Sequence, residues 1–141
     1  MGTTLTIIKP DAVAAGNAGK ILAHLEKVGF TIRCTKKMRL TEAQAKAFYE
    51  VHKERPFYND LVAFMTSGPS MPTALERDGD AVTGLRDAMG ATNSKEAAAG
   101  TVRNLYGTDI EKNAIHGSDS EENAAIETAF FFSRAELIAA Q

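Results

Sequence analysis

The spacing of apolar and polar residues changes period several times along this chain, and each change marks a boundary between candidate elements. Thr3 to Lys9 is rich in β-branched residues and stops at Pro10, which predicts a strand followed by a turn at Pro10-Asp11. Between Ala18 and Val28 the apolar residues Ile21, Leu22, Leu25 and Val28 share one helical face, and Gly29 is a natural C-terminal stop. Phe30, Ile32 and Cys34 then alternate with Thr31, Arg33 and Thr35, the period of a half-buried strand, so the chain begins β-α-β. At Thr41-Glu42-Ala43-Gln44 a capping box, in which threonine and glutamine satisfy each other's backbone donors, predicts a helix to about His52. Arg55-Pro56 breaks it, Leu61 to Met65 predicts another short helix, and Ser67-Gly68-Pro69 closes that one. Met71, Thr73 and Leu75 alternate as a third strand, which Pro72 confines to an edge or a bulge.

The second half is less periodic. Val82, Leu85 and Met89 form a short helical face that Gly90 terminates, and residues 91–118 then run without sustained periodicity, longer than an ordinary connection. Ser120 is placed to cap a helix with Glu121 and Glu122 in its first turn, where negative charge suits the helix dipole. Ala129 to Phe132 reads as a final buried strand, and Ser133 with Glu136 forms a second capping box for a short C-terminal helix. There is no internal repeat, linker or sign of a domain boundary, and the segments are too irregular for a doubly wound parallel sheet. The elements sum to α/β with an antiparallel sheet, in a single domain over residues 1–141.

Composition narrows the partners. A formal net charge of -2 gives no general attraction to nucleic acid or an anionic membrane, so any anion site must be a local cluster of cations. Cys34, the only cysteine, has no internal disulfide partner and reads as a small apolar strand residue. No stretch approaches the ~18 apolar residues of a membrane span, and the N-terminus has no secretory pattern. A cytoplasmic location is the expectation.

Three histidines are candidates for chemistry. His24 lies on the polar side of its helix and reads as structural, whereas His52 follows Tyr49 by three residues and is positioned for a polar pair at a pocket wall. His116 differs, because Gly117 places it on a turn at the end of the long aperiodic segment, which can expose an imidazole. A neutral imidazole attacks phosphorus through one nitrogen when an acceptor, usually a carboxylate, holds the other. Glu127, eleven residues on, is far enough for a turn and a helix to return it to His116; a solvated surface charge is the competing reading. Lys9 after the first strand, Arg86 on a short helix and Arg103 in the long segment are the cations that phosphate recognition would use. Walker A, GxGxxG and nucleophile-elbow patterns are absent, as is a Cys/His metal cluster.

The segment Asn113-Ala114-Ile115-His116-Gly117-Ser118-Asp119-Ser120 resembles the N-x-x-H-G-S-D signature of nucleoside diphosphate kinases, a very specific motif. The likeness covers nearly the whole chain, through Ile8-Lys9-Pro10-Asp11, Phe48-Tyr49 to His52, Arg55-Pro56-Phe57, Ser67-Gly68-Pro69, Arg86 with Met89-Gly90-Ala91-Thr92-Asn93, and Gly100-Thr101-Val102-Arg103. Ser70 and Pro72 stand where the family commonly has apolar residues, Arg77-Asp78 where it has a simpler turn, and Ser94 where it often has proline. The resemblance implies a ferredoxin-like βαββαβ fold, α+β, with a four-stranded antiparallel sheet and a long nucleotide-binding loop from about Ala91 to Asn113.

It further implies a ping-pong reaction in which His116 takes the γ-phosphoryl group of a nucleoside triphosphate and passes it to a nucleoside diphosphate. Glu127, supported by Ser118, would hold the imidazole. Lys9, Arg86, Thr92 and Arg103 would contact the phosphates, with Tyr49 and His52 nearby, while Lys9 and Asn113 would reach the ribose. Phe57 would stack on the base, with Leu61 and Ile110 lining the slot. Mg2+ would arrive on the nucleotide phosphates, with no protein metal ligands. The resemblance also implies a homo-oligomer, a tetramer or hexamer, with no membrane and no nucleic-acid partner expected. A phosphohistidine relay protein and a nucleic-acid-binding ferredoxin-like module are the alternative classes.

Overall fold

A computed structural model describes residues 2–140. Four strands, β1 (Gly2–Ile8), β2 (Thr31–Thr35), β3 (Met71–Arg77) and β4 (Ile115–Gly117), form one sheet in the order β2-β3-β1-β4. Every pairing is antiparallel. The helices are α1 (Pro10–Ala14), α2 (Ala18–Lys27), α3 (Glu42–Phe48), α4 (Tyr58–Met65), α5 (Ala81–Met89), α6 (Val102–Tyr106), α7 (Glu121–Phe131) and α8 (Arg134–Ala139). With β1-α2-β2 and β3-α5-β4 as its halves, the chain has the expected βαββαβ architecture; α3 and α4 interrupt it between β2 and β3, and the long loop between α5 and β4. Among the described residues no helix is long and apolar enough to cross a membrane.

Both faces of the sheet are covered, which is why β1 is buried from Thr4 to Ile8 instead of alternating inside and outside. On one face Ile8, Leu75 and Ile115 pack with Ile21 and Leu25 of α2 and Leu85 and Met89 of α5. On the other, Leu5, Ile7 and Ala74 meet Ala45 and Tyr49 beside α3, Val62 and Met65 of α4, and Phe131 and Phe132 at the end of α7. The short final strand β4 joins the edge of β1, pairing Ile8 with Ile115, Ile7 with His116 and Thr6 with Gly117.

Several expectations need correction. Ala129 to Phe132 is not a strand: α7 runs through Phe131, and Ala124, Thr128 and Phe131 turn one buried stripe inward. Four consecutive apolar residues have no period of their own, and the helix propagates through them from its Ser120 cap, whose hydroxyl accepts from the Asn123 amide. The fourth strand is instead the three-residue β4, too short to show a pattern. Pro10-Asp11 opens α1 rather than a simple turn, with proline at a first-turn position where its missing N–H costs nothing. The helix expected to reach His52 ends at Phe48 and continues as a single 3₁₀ turn over Glu50–His52, while the helix expected from Leu61 begins at Tyr58.

Pro72 lies in β3, which is an interior strand and not an edge. Its carbonyl accepts from the Lys36 amide at 3.2 Å, so its nitrogen also faces β2. There the ladder stops after Thr35 paired with Thr73 and resumes only as a bridge between Met38 and Ser70. Proline is tolerated because it falls in that gap.

Candidate active site

His116 occupies the middle of β4, opposite Ile7 of the buried central strand. Its backbone is tied on both sides: the Thr6 hydroxyl donates to its carbonyl at 2.6 Å, and the Ser118 amide donates to the Leu5 carbonyl at 3.1 Å. The imidazole Nε2 lies 2.7 Å from Oε1 of Glu127 on α7, and the same oxygen accepts from the Ser118 hydroxyl at 2.8 Å. Ser118 is fully buried, while the histidine and glutamate side chains keep 20% and 19% exposure. An ionised carboxylate only accepts, so in a neutral imidazole this contact puts the proton on Nε2 and the lone pair on Nδ1. The ring is packed edge to face by Phe48 at 5.5 Å and Tyr49 at 6.3 Å between centroids.

Beside this pair lies a cluster of cations with little solvent. Lys9 caps α1, and its Nζ donates to Asn113 Oδ1 at 2.8 Å. Burial, and then the Arg103 charge, brings its pKa down to about 8, while Asp11 and Glu111 pull weakly the other way. Arg103 of α6 is buried too, donating to the carbonyls of Gly90 at 3.2 Å and Ile115 at 2.9 Å, with its Nε unpartnered. Burial and the nearby Arg86 lower its pKa to about 10. Two buried, mutually repelling cations with a third, exposed one on α5 define a site that favours an anion. Asn113 is fixed from behind, its amide donating to the carbonyls of Thr92 at 3.0 Å and Ile110 at 3.1 Å.

The backbone between Asn113 and His116 is unusual. Ala114 has φ 73°, the left-handed region, and is the one non-glycine residue with positive φ among the described residues. Its carbonyl accepts from the Lys9 amide at 2.8 Å, and its N–H donates to Asp11 Oδ2 at 3.2 Å.

An aromatic group leads away from the histidine. Tyr49 stacks on His52 at 6.5 Å, and His52 meets Phe57 at 5.5 Å. The buried Tyr49 hydroxyl has no partner among the described residues; burial and the charge of Glu127 push its pKa up, so it remains a donor. Phe57 is half-exposed at the start of α4, Leu61 lies one turn along, and Ile110 is exposed on the long loop. Shallow, open hollows of ≈ 420 and ≈ 400 Å³ lie elsewhere, lined by residues such as Arg77, Asp80 and Asp87 or Glu42, Lys46 and Asn59. His116 lines neither of them and keeps 20% side-chain exposure.

The structure therefore joins His116, Glu127 and Ser118 by hydrogen bonds, and Lys9, Asn113, Arg103 and Arg86 by hydrogen bonds and electrostatics. Thr92 is exposed and enters through its carbonyl bond to Asn113. Two neighbours had no assigned role in the sequence reading: Phe48 against the imidazole, and Asp11 against Ala114. Phe48 reads as ordinary helix core, and only its place beside Tyr49 hints at more. Asp11 follows Lys9 by two residues, but its target amide is distant in sequence.

An imidazole with one nitrogen held by a carboxylate, next to buried cations that form no salt bridge among the described residues, is the equipment of a phosphotransferase on an α+β sheet. The family model described as nucleoside diphosphate kinase matches residues 2–137. The chain belongs to that family. It is 57% identical over 137 residues to the nucleoside diphosphate kinase of Sulfurimonas denitrificans, covering 97% of this chain and 99% of that one. It is 54% identical over 138 residues to the enzyme of Campylobacter lari, covering 98% of this chain and all of that one (100%). Its fold superposes on the Aquifex aeolicus nucleoside diphosphate kinase with a TM-score of 0.93 at 46% identity, covering 96% of this chain and 97% of that one. It also matches a Halobacterium salinarum nucleoside diphosphate kinase solved in complex with CDP, TM-score 0.90 at 40% identity, covering 95% and 89%. Of the three classes open to the sequence, the nucleotide kinase is the one these findings carry.

Proposed function

We propose that this phosphotransferase works by double displacement through His116. The Nδ1 lone pair attacks the γ-phosphorus of a nucleoside triphosphate, an N–P bond forms, the bond to the β,γ-bridging oxygen breaks, and the diphosphate leaves. A terminal phosphate oxygen of a second nucleoside diphosphate then attacks the phosphohistidine, restoring the neutral ring. Glu127 holds the Nε2 proton and offsets the positive charge that grows on the ring in each half-reaction, while Ser118 fixes the carboxylate. Lys9, Arg103 and Arg86 neutralise the phosphates, with Thr92, Tyr49 and His52 as neighbouring donors, and Asn113 reaches the ribose beside Lys9. Phe57 supports the base, with Leu61 and Ile110 along the slot. The observation that carries this reading is the 2.7 Å contact between Nε2 and Glu127, which commits that nitrogen and leaves Nδ1 available.

Magnesium belongs to the substrate in this proposal, bridging the nucleotide phosphates and keeping much of its water. Among the described residues no group of three or more His, Cys, Asp or Glu side chains is placed to hold a metal ion. Function as one domain, assembly into a homo-oligomer of four or six copies, and residence in the cytoplasm rest on family membership and belong to the same proposal.

The test is intact-mass spectrometry after mixing with Mg-ATP, followed by addition of a diphosphate of another base. The parent protein gains one phosphoryl group and loses it to the second nucleotide. His116→Ala remains folded and gains none. A His116→Ala protein that still takes a label and turns over sinks the assignment.

A further inference from the structure

Asp11 lies outside the nucleotide machinery assigned above, yet it is bonded to the segment that joins that machinery's two halves. Lys9, Pro10 and Asp11 run from β1 into α1, and Asn113, Ala114 and Ile115 run from the long loop into β4. Three hydrogen bonds link the two segments: Lys9 Nζ to Asn113 Oδ1, the Lys9 amide to the Ala114 carbonyl, and the Ala114 amide to Asp11 Oδ2. The left-handed Ala114, fully buried, is the point at which the chain reverses between them. A residue with a Cβ holds that conformation only when its surroundings over-determine it. Here both polar groups of Ala114 are captured, the carbonyl by backbone and the amide by a side chain.

The carboxylate is poorly served in return. Its Oδ1 is buried without a partner among the described residues, and burial raises its pKa despite Lys9 and the backbone donors. Leaving a carboxylate oxygen unpaired works against stability, so the value of Asp11 lies in what its other oxygen holds. We propose that Asp11 is a positioning residue for phosphoryl transfer: by fixing the left-handed Ala114 it sets Asn113 against Lys9 and His116 against Glu127 in a single register. This rests on the roles proposed above for His116, Lys9 and Asn113.

The experiment uses four variants of the full chain, assayed at a temperature where circular dichroism shows each folded. Asp11→Ala removes the acceptor and lowers kcat at saturating Mg-ATP and diphosphate by about tenfold or more, the penalty for misplacing reacting groups. Asp11→Asn keeps an acceptor oxygen and restores most of the loss. The decisive variant is Asp11→Ala combined with Ala114→Gly, because glycine takes the left-handed conformation unaided. Its kcat agrees with that of Ala114→Gly alone to within about threefold, the two effects being non-additive because they act on one turn. A purely structural Asp11 would give the same tenfold loss in both backgrounds, and that result, or an Asp11→Ala enzyme with unchanged kcat, overturns the proposal. Should Asp11→Ala fail to fold, the comparison of the two glycine-containing proteins still decides it. Failure of the His116 assignment is read separately, by whether the parent protein gains a phosphoryl group at all.

Discussion

The ammonium of Lys9 is held almost out of water beside Arg103, and the cost of that arrangement gives a signed pH dependence. With its pKa at about 8 instead of the ordinary 10.5, the folded protein releases this proton at a lower pH than the unfolded chain does. Between about pH 8 and 10.5 the unfolded state therefore binds more protons, and the contribution of Lys9 to stability rises with pH. The proposed phosphate contact has the opposite sign, because it uses the charged form. We predict that kcat/KM for Mg-ATP falls as pH passes about 8, while the unfolding midpoint of the parent gains on that of Lys9→Met between pH 7 and pH 10. A parent that loses ground to Lys9→Met over that range would show that burial does not depress the lysine. Glu127 gives a second prediction at this scale. Glu127→Gln keeps the shape of the side chain and removes the charge that stabilises the ring during transfer, so phosphohistidine formation measured by rapid quench slows by roughly a hundredfold with little change in melting temperature.

The elements that place these side chains were legible wherever a local rule governs them. The capping boxes at Thr41 and Ser133, the Ser120 cap and the glycine after Met89 act over one helical turn, and all four are where the pattern puts them. What was illegible depends on contacts distant in sequence. Ala129 to Phe132 carries no period, so only its packing against the sheet decides between strand and helix. The three residues of β4 form a strand because β1 offers them a free edge, and Pro72 sits inside the sheet because β2 stops opposite it. The Asn113 to Asp119 motif was legible as a string, but the Asp11 contact with Ala114 was not, since 103 residues separate the partners. The fit of β4 against α5 leads to a prediction at Gly117. A Cβ there would meet the Met89 sulfur and come within 3.1 Å of Leu85 Cδ2, both in the core. Gly117→Ala should therefore destabilise the fold by about 1–3 kcal/mol, as overpacking does. Because Gly117 lies between His116 and Ser118, activity should fall even at temperatures where the variant is folded, as activity and urea-midpoint measurements on the same preparation would show.

At the scale of the whole molecule, the protein is mildly acidic and gathers three cations, Lys9, Arg86 and Arg103, where the proposed function puts the phosphates. The residues proposed to meet the base are different in kind: Phe57 at 49% exposure and Ile110 at 64% are exposed apolar groups. In the proposed binding mode, binding strength is concentrated on the part common to all nucleotides, and the part that differs meets a ring and an aliphatic chain. Stacking on an aromatic ring uses the π-face that every base has and is worth ~1–3 kcal/mol. Sharp discrimination would require a buried donor or acceptor left unpaired by the wrong base. Of the polar residues following Phe57, Tyr58 donates its hydroxyl to the Lys46 carbonyl at 3.4 Å, and Asn59 and Asp60 are exposed, where water can replace a lost hydrogen bond. We therefore predict that adenine, guanine, cytosine and uracil diphosphates are all accepted, with kcat/KM values spread by tens of fold at most. Phe57→Ala should weaken all four together, by about ten- to a hundredfold in kcat/KM, because it removes a contact they share. The measurement is a set of parallel kinetics with one phosphoryl donor and the four acceptors, on parent and variant. A preference of about a thousandfold for one base, or a Phe57→Ala effect confined to one, would mean that Asn59 or Asp60 reads the base edge directly.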